Sequence, residues 1–329
     1  MAQHDVPADV CADPLRSHIP APFSEIFYPL GFPLRLDSTS PAVLGAARHI
    51  WGRYLQSHDC EPLHLRFNID EASSAPRPDP VLPRLQGHLF SIVHSTDNVA
   101  VADLSKGFAA AWLTPSVLAE PAHFRYHFLE PLTYAILVER YLTPVHAACI
   151  SLDDSGILLC GDSGSGKTSL AYACAKAGWT YVSDDATYVV RNSAVGRVIG
   201  KPHFARFRSS AIDVFPELTA FPSGWRPSGN PDIEISTHDL GLTRISLDAT
   251  PAFLVFLNRR SYGPAVLGGY SRAKALEWLD QVVYSPQQAV REAQRESLRT
   301  VLRGPVFELT YSGLYDAERV LKSLIRTEV

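Results

Sequence analysis

No uninterrupted apolar run in this sequence approaches the roughly 20 residues that a membrane-spanning helix needs. The first ten residues, Met1 to Val10, have neither the basic start nor the apolar core of a secretory signal, so a cytoplasmic location is expected. Cysteine is scarce: five residues, an odd number without metal-like spacing, which excludes a disulfide scaffold. Cys149, Cys160 and Cys174 fall in expected core elements and read as small apolar fillers. An excess of either charge is also missing. Thirty Lys and Arg against 34 Asp and Glu give a formal net charge of -4, which supplies no electrostatic reason to expect nucleic acid or an anionic membrane as partner. Internal repeats and low-complexity tracts are absent, and 46% hydrophobic residues in a chain of 329 suffice for a substantial core.

What is present centres on Gly161-Asp162-Ser163-Gly164-Ser165-Gly166-Lys167-Thr168-Ser169, which fits the phosphate-loop pattern G-x-x-x-x-G-K-[ST] at every fixed position. The pattern has meaning only where a strand feeds it and a helix follows. Gly156 to Cys160 has the length and composition of a buried parallel strand. Leu170, Ala171, Ala173, Cys174 and Ala177 then recur at helical spacing, with Gly178 at the C-cap position. Glycines let successive N–H groups converge on phosphate oxygens, and the helix start adds partial positive charge. These nine residues are therefore expected to bind a nucleotide, ATP, with Lys167 on the outer phosphates and the Thr168 hydroxyl on Mg²⁺.

Trp179 to Ser183 reads as a second buried strand ending in the pair Asp184-Asp185. In open α/β sheets the C-terminal edge of the strands is where ligands bind, so the pair is expected beside the phosphates. One carboxylate can hold Mg²⁺ directly or through water while the other accepts a proton. Their mutual repulsion should raise one pKa, which suits a base.

The stretch Val145-His146-Ala147-Ala148-Cys149, then Gly156 to Ser169, then Val182-Ser183-Asp184-Asp185, resembles the catalytic domain of the HPr kinase/phosphorylase family in order and approximate spacing. The resemblance implies an α/β phosphate-loop nucleotide domain in a serine kinase-like phosphotransferase. Lys167 and Thr168 would hold phosphate and Mg²⁺, Asp185 would be the base, Asp184 would be left to the metal, and His146, on the strand before the loop, would support the site. Arg259 or Arg260, after the strand-like Ala252 to Leu257, would supply an arginine to the transferring phosphoryl group. A homo-oligomer is also implied. The family's Glu-containing, Arg-Gly-rich segment after the acidic pair is not found. Arg197 to Arg208 is basic and aromatic instead, so the chain reads as a divergent branch, and neither HPr as substrate nor phosphorylase activity is carried over.

The chain divides into a leader, 1–22, a smaller α+β module, 23–122, and the kinase-like domain with its linking helix, 123–329. In the module, strands are expected at Phe32–Leu36, Leu63–Phe67, His88–Val93, Val99–Ala102 and Phe108–Leu113, a helix from Pro41, and a surface loop at Asp70–Pro83. A helix from about Phe124 to Tyr141 leads into the second domain, and its His123, Arg125 and His127 read as an exposed face. Further on come strands at Tyr188–Arg191 and Arg197–Ile199 and a long polar loop from Pro216 to Asp239. Lys201, His203, Arg206 and Arg208 suggest an acceptor-binding wall, with a solvated basic face as the plain alternative. Helices at Ser271–Leu279 and Pro286–Leu302, a strand at Pro305–Thr310 and a last helix from Asp316 complete the pattern. The expected function is transfer of a phosphoryl group from Mg-ATP to a hydroxyl, a serine of a protein or peptide or a small molecule. The alternative is a nucleotide-binding regulatory ATPase without an acceptor.

Overall fold

The computed structural model describes residues 20–71, 83–224 and 232–328. The expected leader lies outside these as far as residue 19, as does most of the expected loop at 70–83.

The first module is a seven-stranded sheet built from β1 (Phe23–Phe27), β2 (Leu34–Ser38), β3 (Leu63–Ile69), β4 (Arg84–Gln86), β5 (Leu89–Val93), β6 (Val99–Asp103) and β7 (Phe108–Leu113), in the order β1-β2-β3-β7-β6-β5-β4. Strands β2, β3 and β7 run parallel at its centre, and the remaining pairs are antiparallel. Alternation sets the buried face: Leu34 and Leu36 sit opposite Leu63 and Leu65, all inward, while Arg35 and His64 face outward. The helix Pro41–Trp51 covers that face with Val43, Leu44, Ala47, Ile50 and Trp51. The linking helix, Glu130–Arg140, buries Leu132, Ile136 and Leu137 in the same core, so its apolar side belongs to the first sheet.

The linking segment corrects two expectations. Its helix begins as a short turn at Pro121–Phe124, passes through a π-helical turn at Arg125–Leu129 and only then becomes regular. Residues His123 and Arg125 are buried, not an exposed face: Arg125 finds carboxylate partners inside, and His123 packs against His94 and His127.

The chain continues through β8 (Leu142–Val145), β9 (Ala148–Leu152), β10 (Ser155–Cys160), β11 (Thr180–Ser183), β12 (Thr187–Val190), β13 (Val198–Ile199), β14 (Phe204–Arg208), β15 (Asp232–Ser236), β16 (Asp248–Ala249), β17 (Pro251–Arg259), β18 (Val266–Gly269) and β19 (Val306–Tyr311). Six form a mixed sheet in the order β11-β9-β10-β17-β19-β18, with β10, β17 and β19 parallel. Strand β10 is buried along its whole length because both faces are covered. Ile157 and Leu159 point to one core with the helices Lys167–Lys176 and Leu314–Glu328; Leu158 and Cys160 point to the other, under Arg272–Asp280 and Gln288–Val301. A four-stranded sheet, β16-β13-β12-β8, and the ribbon β14-β15 flank this layer.

Two further corrections follow from these flanking pieces. His146 is not on a strand: His146 and Ala147 form the link at which the chain leaves β8 in one sheet and enters β9 in another. The long polar loop at 216–239 contains a helical turn, Pro216–Ala220, and β15, whose Ile233 and Ile235 are buried against the loop-bearing core.

Candidate active site

Strand β10 ends at Cys160, and the glycine-rich segment turns the chain straight into the helix that starts at Lys167. Two glycines in it are required by space as well as by backbone angle. A Cβ on Gly161 (φ +144°) would stand 2.8 Å from Ser165 Oγ, and one on Gly166 (φ +97°) only 2.4 Å from the Tyr311 hydroxyl oxygen. Ser163, Gly164, Gly166, Lys167, Thr168 and Ser169 line a cleft of about 580 Å³. Gly161, Asp162 and Ser165 do not line it. The first two present carbonyls to Lys167, and Ser165 leaves a buried hydroxyl without a hydrogen-bond partner.

Lys167 is the centre of the constellation. Its side chain is 5% exposed, and its ammonium donates to the carbonyls of Gly161 (2.8 Å) and Asp162 (3.3 Å). His146 Nε2 lies 3.2 Å from the same nitrogen, and His146 Nδ1 lies 3.2 Å from Asp185 Oδ1. An ammonium can only donate, so Nε2 accepts, and the remaining ring proton sits on Nδ1 and is donated to Asp185. Asp185 itself is 3.8 Å from the lysine. Burial lowers the Lys167 pKa, an effect that the Asp185 charge opposes. The histidine's position between the two sheets is what lets one ring reach both partners.

The acidic pair is split by its surroundings. Asp185 is half exposed and faces the cleft. Asp184 is buried and accepts a hydrogen bond from the backbone N–H of Arg206 (2.7 Å); it lines a smaller cavity behind the cleft, together with Glu130 and Lys201. The raised pKa expected of the pair belongs to Asp184, pushed up to about 6 by burial against the pull of the Arg206 amide, with the Asp185 charge adding to it. That carboxyl does not line the cleft.

Of the two arginines after β17, Arg259 lines the cleft, its Cδ lying 3.8 Å from where a Gly166 Cβ would be; Arg260 does not line it. Arg208 reaches the loop from β14 and donates to Ser163 Oγ (2.7 Å). The four residues of the expected basic wall therefore divide. Arg206 and Arg208 line the cleft, whereas Lys201 is turned inward, 3.5 Å from Glu130 and over the Tyr134 ring, and His203 packs against the edge of Tyr54. Only Arg208 of the four is exposed, so they do not form one solvated basic face. Burial takes the Lys201 pKa down to about 8 in spite of Glu130. Cys160, the residue immediately before the loop, is fully buried with its pKa raised to about 12, as an inert filler would be.

Two aromatic residues of the site carry no signal in the sequence. Tyr126 sits in the π-helical turn and lines the cleft, donating its hydroxyl to Glu234 (2.7 Å). Tyr311 ends β19 and donates to the carbonyl of Ser165 (2.9 Å). Only proximity in the folded chain connects either one with the loop.

No family model matches the chain, and no curated protein matches it in sequence. Among solved structures, the HPr(Ser) kinase/phosphatase from Coxiella burnetii is similar over 56% of this chain and 95% of that chain, with 13% sequence identity and a TM-score of 0.33. At that distance the chemistry has to be read from this chain's own side chains. Among the described residues, no helix is long and apolar enough to cross a membrane.

Proposed function

We propose that the chain is a phosphotransferase that takes the γ-phosphoryl group of ATP, with Mg²⁺, to an acceptor hydroxyl. The observation that supports this reading above others is the continuous contact Lys167–His146–Asp185 at the floor of the cleft, where the helix after the glycine-rich segment begins. It joins a buried cation to a cleft-facing carboxylate.

The residues present fit a polyphosphate. The loop leaves no room for Cβ atoms at Gly161 and Gly166, the Ser165 hydroxyl is buried without a partner, and the Lys167 charge rests on carbonyl dipoles more closely than on any carboxylate. Lys167, Arg208 and Arg259 would hold phosphate oxygens. The Thr168 hydroxyl, which lines the cleft, would hold magnesium. Among the described residues no three His, Cys, Asp or Glu side chains could hold a metal by themselves, which agrees with a magnesium that takes part of its shell from phosphates. Asp184 would have to give up the Arg206 amide to take part. When bound, magnesium neutralises charge on the transferring group.

Asp185 acts as the base. The His146 proton fixes Oδ1, which leaves Oδ2 to take the acceptor's proton, and the histidine in turn keeps its tautomer because Lys167 donates to Nε2. Arg206 and Tyr126, farther along the cleft, would meet the acceptor. A serine of a protein or peptide is the acceptor the reading favours, and a cytoplasmic setting would supply both ATP and such a partner.

Transfer of label from γ-labelled ATP with Mg²⁺ into a cell extract tests the proposal, with Lys167→Ala and Asp185→Asn alongside. The expected result is a labelled acceptor with the wild-type chain alone, and an Asp185→Asn chain that still binds ADP. Phosphate release with no labelled acceptor would point to a regulatory ATPase instead. Failure of the wild-type chain to bind ADP or ATP would overturn the reading.

A further inference from the structure

We propose that Tyr311 is a positioning residue for phosphate binding: its hydroxyl holds the Ser165–Gly166 peptide in the orientation that turns the Gly166 N–H toward the cleft. The inference rests on the phosphate-binding reading of the loop and adds to it a residue from a distant part of the chain.

Tyr311 closes β19, which is parallel to β17, itself parallel to the loop-bearing β10. The side chain is 1% exposed and lies beneath the loop, outside the cleft lining. Its Oη donates to the Ser165 carbonyl at 2.9 Å. In a trans peptide the C=O and the following N–H point in opposite directions. A Ser165 carbonyl drawn down to Tyr311 therefore sends the Gly166 N–H to the other side, where Gly166 lines the cleft. The same hydroxyl adds a second reason for the glycine beside its positive φ, since a Cβ there would fall 2.4 Å from Oη but 3.6 Å from Cζ. Without the hydroxyl, neither the peptide orientation nor the exclusion of a side chain would be enforced from below. Burial raises the Tyr311 pKa to about 12, so the group stays a hydrogen-bond donor at any working pH.

The test uses the full chain and calorimetric titration with ADP and with inorganic pyrophosphate, beside thermal unfolding without ligand. In Tyr311→Phe the ring still fills its place, so the chain should stay folded with its melting temperature lowered by no more than the loss of one hydrogen bond, while the affinity for both ligands falls by roughly five- to tenfold. In Gly166→Ala both ligands should lose affinity further, and adding Tyr311→Phe to it should restore part of that loss because the clash with Oη is gone. Wild-type affinity for both ligands in Tyr311→Phe, or a double variant weaker than either single one, would overturn the positioning role. Absence of ADP and pyrophosphate binding in the wild-type chain is a separate failure, that of the loop as a phosphate site, and it would remove the role of Tyr311 with it.

Discussion

Two clusters of charge share a wall at Asp184, Asp185 and Arg206, and they are built on opposite principles. In the rear cluster each cation has carboxylates in place. Arg125 donates to Glu130 (2.7 Å) and Glu234 (2.5 Å), Arg206 donates to Glu234 (2.9 Å), and Lys201 is 3.5 Å from Glu130. Burial would raise the Glu130 pKa, yet Lys201, Arg125 and Arg206 bring it below the ordinary value. In the front cluster Lys167 rests on carbonyls and a histidine, and Arg208 on a serine hydroxyl. Dipoles can hold a cation in position without cancelling its charge, so the front cluster keeps its attraction for an anion and the rear one does not. The difference separates charges that join the ribbon β14–β15 to the linking helix from charges that the proposed function assigns to a ligand.

Breaking the rear cluster should give the largest effect. Arg125→Ala leaves Glu130 and Glu234 without their closest cation in a buried setting, and a stability loss of about 3–5 kcal/mol is expected by urea denaturation. A loss below about 1 kcal/mol would mean that the two carboxylates have other compensation and that the contrast with the front cluster is overdrawn. Lys167→Met makes the converse change. Removing a buried ammonium whose closest contacts are carbonyls, with the half-exposed Asp185 carboxylate at 3.8 Å, should leave the ligand-free chain as stable as before, or more so by about 1 kcal/mol, while ADP affinity drops on the order of 100-fold. A Lys167→Met chain destabilised as severely as Arg125→Ala would place the lysine among the structural charges.

How far the front cluster was legible from the sequence follows from its contiguity. Lys167, Thr168 and the glycines occupy one run whose spacing states its geometry, and the Asp pair ends a strand whose apolar pattern is plain. The strand–loop–helix unit and most flanking strands were readable for the same reason. The rear cluster was not, because Arg125, Glu130, Lys201, Arg206 and Glu234 come from four separate elements and one connecting segment, and each, taken alone, has the pattern of an exposed polar residue. His123 and Arg125 illustrate the error: residue type suggested an exposed face, but Arg125 pairs with Glu234 of the ribbon and His123 packs against His94 and Phe128. Strand β15 was hidden for a related reason. Its alternation, Ile233 and Ile235 between Asp232, Glu234 and Ser236, is short and lies within a stretch otherwise rich in proline and glycine. The neighbours Asp184 and Asp185 could not be told apart, since which of them turns inward depends on the edge of β14, some 20 positions later.

That last ambiguity yields the smallest but most discriminating prediction. A folded-state pKa of about 6 at Asp184, above the ordinary 3.8, means that the folded chain holds this proton more tightly than the unfolded one. Stability from this group is therefore greatest below pH 3.8, declines as pH rises toward about 6, and is level beyond. The shift corresponds to at most about 3 kcal/mol. An asparagine keeps an oxygen for the Arg206 N–H and has no charge to bury. Relative to the wild type, Asp184→Asn should gain stability as pH rises from 4 to 7, ending about 1 kcal/mol ahead after the weaker acceptor is allowed for. Urea midpoints across that range measure the slope, and a difference between the two chains that does not change with pH would refute the assignment. The same variant also separates the two clusters by function. If Asp184 belongs to the rear, magnesium-dependent ADP affinity should stay within about twofold of wild type; a loss on the order of 100-fold would return this carboxylate to the metal and move the boundary between the clusters behind it.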